Sequence, residues 1–221
     1  MRGLRAIISD FDGVILESND LKTRAFESVF AGFPEHAAAM IAYHHAHVSD
    51  SRFAKFRYFV TACLDRSEND PLVDQLAAAF SAEMLRQIDA CPLVPGALAF
   101  LARAHAALPV FLASVTPQDE LDVILKRRGL AEYFTRVYGC PPWSKLAAVA
   151  DIVGAFGGSE GVLFIGDSAG DQRAAREAGV EFIARDSGLP FDAPRPRAFP
   201  DLVQLGDAIA DRLPRSEEGP A

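Results

Sequence analysis

The 221-residue chain has little cysteine: Cys63, Cys91 and Cys140 are odd in number and show no CxxC spacing. That excludes a disulfide framework and a zinc site of paired cysteines. Basic residues are also short, with Lys and Arg totalling 22 against 30 Asp and Glu, a formal net charge of −8. Binding to nucleic acid or to an anionic membrane normally needs a basic excess, so neither partner is expected. Long apolar runs are missing as well. The longest uncharged stretch, Ala104 to Gln118, is interrupted by Pro109 and Pro117 and is too short to span a bilayer. At the N-terminus an acidic motif arrives before a signal-peptide apolar region can form, and a cytoplasmic location is expected. What remains is an ordinary globular mix, 50% hydrophobic and 24% charged, which excludes disorder for the bulk of the chain.

Short runs rich in Val, Ile and Phe predict strands at Ala6 to Ser9, Val110 to Ser114, Arg136 to Tyr138, Val162 to Gly166 and Glu181 to Ala184. Helical patterns lie between the later ones: Pro95 to Ala107, Pro117 to Arg128, Ser144 to Phe156 and Asp171 to Ala178. Such alternation implies an α/β fold, a Rossmann-like parallel sheet with helices on both faces. The stretch from Leu16 to Ala90 breaks it. Four helical patterns there, at Asn19 to Ala31, Glu35 to His47, Ser51 to Leu64 and Pro71 to Ile88, read as an inserted helical cap. The expected organisation is a core of residues 1–15 and 91–213, a cap of 16–90, and a polar, frayed tail at 214–221. The four prolines of Gly188 to Pro200 predict a loop before a last helix at Asp201 to Arg212.

Chemistry concentrates where strands end. The first strand runs into Asp10-Phe11-Asp12-Gly13-Val14. Residues 10 and 12 of an extended chain point to one side. Two carboxylates about 4 Å apart at an effective dielectric near 20 repel by roughly 4 kcal/mol, so the pair calls for a cation. A turn in which both bond backbone amides is the plain alternative for this motif alone. A second acidic turn, Gly166-Asp167-Ser168-Ala169-Gly170-Asp171, ends another strand, with helix capping by Asp171 as its plain alternative. Both turns fall at the carboxyl edge of a parallel sheet, where ligands of such folds bind. An oxygen-rich cluster there suits Mg²⁺. A third strand ends in Ser114-Val115-Thr116-Pro117. Thr116 reads as the cap of the next helix, which leaves Ser114 and the backbone amides beyond it for an anion. Lys145, in the first turn of a helix where the dipole disfavours a cation, is explained by a position facing the carboxylates.

Taken in order, Asp10-x-Asp12-Gly-Val, Ser114, Lys145 and Gly166-Asp167-x-x-x-Asp171 resemble the haloacid dehalogenase-like (HAD) phosphohydrolase superfamily. The helical insertion after the first motif is similar to the subgroup of phosphoglycolate phosphatases and β-phosphoglucomutases. The resemblance implies a phosphatase acting on a small phosphorylated metabolite through an aspartyl-phosphate, with the site between core and cap. Asp10 is then the nucleophile. Asp12 protonates the leaving alkoxide and deprotonates water. Ser114, Val115 and Lys145 hold the phosphoryl oxygens. Mg²⁺ sits on the Asp10 carboxylate, the Asp12 carbonyl and Asp167, with Asp171 in support. Within the cap, Arg52 and Lys55 share a helix face at i, i+3 and resemble a substrate-specificity segment, a solvated basic face being the alternative. Lys22 stands where related phosphomutases carry a His, which favours a phosphatase. A phosphomutase of the same fold and a non-catalytic phosphate-ligand-binding protein are the other readings. His44, His45 and His47 lack a third ligand type nearby and read as polar cap surface. Gly157-Gly158-Ser159-Glu160-Gly161 matches GxSxG, but lies after a helix and before a strand, the reverse of a nucleophile elbow.

Overall fold

The computed structural model describes residues 3–214, so the expected tail lies, apart from Pro214, outside the described residues. In chain order the helices are α1 (Asn19–Phe30), α2 (Pro34–Ala46), α3 (Arg52–Tyr58), α4 (Leu72–Gln87), α5 (Ala97–Ala107), α6 (Gln118–Arg127), α7 (Lys145–Ala155), α8 (Ala169–Glu177) and α9 (Leu202–Ala208). The strands are β1 (Ala6–Ser9), β2 (Val110–Ala113), β3 (Arg136–Tyr138), β4 (Val162–Gly166), β5 (Glu181–Arg185) and β6 (Ala198–Phe199). The chain divides into two compact units. One joins the chain up to Glu17 to the chain from Pro92 onward, and the other is Ser18–Cys91.

The first unit holds a single sheet in the order β3-β2-β1-β4-β5-β6 with every neighbouring pair parallel. This is the α/β architecture the alternating pattern implies. All four residues of β1 are buried, as a central strand covered on both faces requires. Ala6, Ile8, Phe111, Ala113, Tyr138 and Phe164 pack on Ala148, Val149 and Ile152 of α7 and on Ala174 and Ala175 of α8. Ile7, Leu112 and Leu163 point the other way and are equally buried. The chain leaves β1 for β2 and β3 on one side and returns to β4 on the other. The carboxyl ends of β1 and β4 therefore flank the point where strand order reverses, the usual ligand crevice of such sheets.

Several boundaries differ from the sequence expectation. Leu16 and Glu17 belong to the first unit rather than to the insertion, because Leu16 bridges to Leu93 and the Glu17 N–H donates to the Pro92 carbonyl at 3.0 Å. A sixth strand, β6, lies inside the expected proline-rich loop. It pairs through the Arg197 and Phe199 carbonyls, which accept from Ala184 and Asp186, so its flanking prolines cost no ladder donor. Helix α8 begins two residues earlier than expected, with Ser168 as its cap. Helix α9 stops at Ala208, short of the expected Arg212, and a separate 3₁₀ turn covers Ala210–Arg212.

The second unit is four helices around phenylalanine. Phe26, Phe30, Phe56, Phe59 and Phe80 are all buried and touch one another, with ring centroids 4.5 Å apart for Phe26 and Phe80 and 5.0 Å for Phe30 and Phe59. Each buried ring contributes about 1.5–3 kcal/mol. Helix α3 starts on a Ser51 cap and passes into one π turn at Phe59–Cys63. Among the described residues no helix is long and apolar enough to cross a membrane.

Candidate active site

Because every strand is parallel, the residues that follow β1, β2 and β4 meet at one edge of the sheet. Asp10 follows β1, and its N–H donates to the Ile165 carbonyl at 2.8 Å, which keeps it in register with β4. Phe11 is buried between the two acids, and Gly13 takes φ +74°, the left-handed conformation that lets the chain leave the sheet after Asp12. Gly166 ends β4 next to Asp171. A Cβ at 166 would stand 2.3 Å from Asp171 Cβ, so only glycine admits the approach. Asp171 is the third residue of α8 and completes a capping box with Ser168. Its Oδ2 accepts from the Ser168 hydroxyl at 2.7 Å and from the Ser168 and Asp167 amides at 3.1 and 3.2 Å. The capping role considered as its alternative is thus real, and it does not exclude the other: one oxygen caps while the second faces Lys145.

Asp10, Asp12, Asp167 and Asp171 are all buried. One oxygen from each of Asp10, Asp167 and Asp171 lies within 4.8 Å of the others. Lys145, from the first residue of α7, answers them. Its Nζ is 2.9 Å from Asp10 Oδ1 and makes a short contact with Asp171 Oδ1. Asp10 Oδ1 is buried, and among the described residues the Lys145 ammonium is the group that answers it. Burial pushes the Asp10 carboxyl well above the carboxylate range. Asp171, Asp167 and Asp12 add to that, and Lys145 opposes it. Burial alone would lower the Lys145 ammonium, but Asp10 and Asp171 outweigh it and hold the group well above its usual range. One lysine against this many acids leaves a surplus of negative charge in a buried, all-oxygen site. A hard divalent cation fits that donor set.

At the end of β2 the Ser114 N–H donates to the Tyr138 carbonyl at 3.0 Å, and Ser114 Oγ accepts from the Thr116 amide at 3.1 Å. The Ser114 hydroxyl proton and the Val115 N–H find no acceptor among the described residues, which leaves two donors at this edge. Thr116 does not cap α6 as expected. The cap position is Pro117, with no side-chain hydrogen bond, and the Thr116 hydroxyl instead donates to Asp12 Oδ2 at 3.0 Å. Sequence reasoning missed this contact. The available signal was that Thr116 follows β2 at the same sheet edge on which the acidic turns end.

Arg52 and Lys55 of the second unit do not form a solvated face. Arg52 is 6% and Lys55 2% exposed. Arg52 stacks over Phe80, 4.3 Å from the ring centroid, and donates to Ser81 Oγ at 2.6 Å. Lys55 Nζ lies 3.0 Å from His44 Nδ1, and His44 Nε2 lies 3.2 Å from Thr23 Oγ1. An ammonium can only donate, so Nδ1 accepts and Nε2 carries the proton toward Thr23. His44 is therefore not polar cap surface but a buried hydrogen-bonding residue, in contact with Phe26. His45 and His47 are exposed. Burial, with the charge of Lys55 next, lowers His44 to about 3. Burial, with the charge of Lys22 next, lowers Lys55 to about 7. Lys22 itself is half-buried on α1.

The model of the haloacid dehalogenase-like hydrolase family matches residues 4–179. The chain belongs to that family. It is an enzyme of a hydrolase fold, as its motif order implies. A phosphoglycolate phosphatase from Yersinia pseudotuberculosis is 25% identical over 96% of this chain and 93% of its own length. Among solved structures, a haloacid dehalogenase-like family hydrolase from Streptococcus pneumoniae superimposes with a TM-score of 0.71 at 18% identity, covering 93% of this chain and 98% of its own. CbbY from Rhodobacter sphaeroides, solved with phosphate, gives 0.68 at 20% identity over 92% and 96%. Both likenesses speak to the fold.

Proposed function

We propose that the chain hydrolyses a small phosphomonoester by way of a phosphoryl group carried on Asp10. The observation that carries this reading is Asp10 itself, a buried carboxylate at the switch point of the sheet with Lys145 Nζ 2.9 Å from Oδ1 and that oxygen otherwise without a hydrogen bond. An unclaimed oxygen beside a fixed cation is what a nucleophile toward phosphorus needs. Asp10 forms the new bond to phosphorus as the bond to the leaving oxygen breaks, and Asp12 gives that oxygen its proton. Asp12 then takes a proton from water as water displaces Asp10 and releases phosphate. Lys145, the Ser114 hydroxyl and the Val115 N–H hold the equatorial oxygens, where charge neutralisation and positioning supply most of the catalysis.

The acid surplus around Asp10 supports a bound Mg²⁺, held by the Asp10 carboxylate, the Asp12 carbonyl and Asp167, with Asp171 behind them. When bound, the ion supplies positive charge that the single lysine does not, keeping Asp10 ionised and neutralising the phosphoryl oxygens. Asp171, engaged by its capping bonds and Lys145, acts chiefly by fixing Lys145.

Phosphoglycolate and sugar phosphates are the proposed substrate class, in line with the phosphoglycolate phosphatase relative. The choice is assigned to Arg52, Lys55 and Lys22 of the helical unit, with half-buried Lys22 the one placed to offer charge directly and buried Arg52 and Lys55 acting through the packing around Phe80 and His44. Phosphate release from a panel of such esters, with Mg²⁺ and with EDTA, tests this. Metal-dependent release from one or a few members is expected. Release that EDTA leaves untouched, or none from the folded protein, contradicts it.

A further inference from the structure

Thr116 lies 104 residues along the chain from Asp12 and touches it through one hydrogen bond, Oγ1 to Oδ2 at 3.0 Å. Both residues are buried, Thr116 to 3% exposure and Asp12 to 6%. The threonine is itself held at its backbone. Its amide donates to Ser114 Oγ at 3.1 Å, and its carbonyl accepts from the Cys140 amide at 2.9 Å. Pro117 follows and offers no N–H to compete for either group. The hydroxyl proton has no other acceptor among the described residues, so it goes to Asp12. A helix cap would have turned the same hydroxyl toward the amides of α6, and that helix does without one.

We propose that Thr116 is a positioning residue for Asp12. By donating to Oδ2 it commits that oxygen as an acceptor and fixes the plane of the carboxyl. The proton that passes to the leaving alkoxide, and later returns from water, is then carried on Oδ1. A carboxyl that rotates freely would present the wrong oxygen part of the time, and proton transfer needs a donor held in hydrogen-bond reach of the atom it serves. The inference rests on the reading of Asp12 as the proton-transferring group, and it has a signature that a purely structural threonine would lack. Help from a general acid matters most when the leaving group is a poor one.

The test compares kcat/KM for phenyl phosphate, a poor leaving group, and 4-nitrophenyl phosphate, a good one. This ratio covers the steps up to phosphoryl transfer to Asp10 and leaves the shared dephosphorylation step out. Thr116→Val is expected to lose about 10–100-fold on phenyl phosphate, a part of the effect general acids have, and several-fold less on the nitrophenyl ester. Thr116→Ser, which keeps the hydroxyl, is expected to restore most of the difference, so a folding defect in the valine variant cannot mimic the result. Equal losses on both esters, or a serine variant no better than valine, overturn the proposal. Asp12→Asn is the control and is expected to show the same leaving-group dependence more steeply. If Asp12→Asn shows none, the proton-transfer reading falls and the role of Thr116 with it.

Discussion

Gly166 and Asp171 approach so closely that a methyl group at 166 would overlap the Asp171 side chain. The same carboxylate caps α8 and contacts Lys145, so its displacement has two consequences at once. Gly166→Ala is expected to cost about 1–3 kcal/mol of stability, as overpacking does, and to lower kcat by releasing Lys145. Urea unfolding alongside steady-state kinetics measures both, and a variant with unchanged stability and kcat contradicts the packing described. At this scale Asp10, Asp12, Asp167 and Asp171 were legible in the sequence, because acidic turns closing apolar runs are rare and carry their own directionality. Thr116 was not. A hydroxyl before proline at a helix start has a local explanation, and only the fold brings Asp12 within reach of it. His44 was hidden in the same way, by a weakly patterned helix on which just Met40 and His44 are buried.

At the scale of elements, the strands that cross the core were readable because burial on both faces makes them continuous apolar runs. β6 was not, being two residues long and set among prolines, with the Arg197 and Phe199 carbonyls doing the pairing. Within the helical unit, α3 contributes a buried cation whose titration affects folding. The Lys55 ammonium falls from its ordinary 10.5 to about 7 in the folded chain. Between those values the unfolded chain binds a proton that the folded one does not, so stability rises with pH across the window, and the penalty is complete at and below about 7. Burial sets this, the charge of Lys22 on α1 adds to it, and Asp50, just before α3, opposes it, while His44 from α2 accepts the hydrogen bond. Lys55→Met removes the titration. Its thermal midpoint relative to the parent is expected to shift in the parent's favour as pH is raised from about 7 to about 10. A difference that does not move with pH contradicts the burial of a charge there.

For the molecule as a whole, an acidic chain of net charge −8 gathers four of its carboxylates at one buried edge of a parallel sheet. Such an arrangement stores repulsion that packing alone does not explain. The parallel order, the reversal of strand order beside β1, and the match to a hydrolase family over most of the chain all direct attention to Asp10. The alternation of strands and helices made this architecture legible in advance. The cation pairing inside the helical unit was not, since Arg52 and Lys55 read equally well as solvent-facing charge. The most direct test of the central claim is phosphate release by the parent and by Asp10→Asn, side by side in Mg²⁺. Asp10→Asn keeps the shape and removes the proposed nucleophile. It is expected to stay folded and to fall by at least about 1,000-fold in kcat, as loss of a covalent nucleophile does. Release at a parental rate from Asp10→Asn would contradict the account.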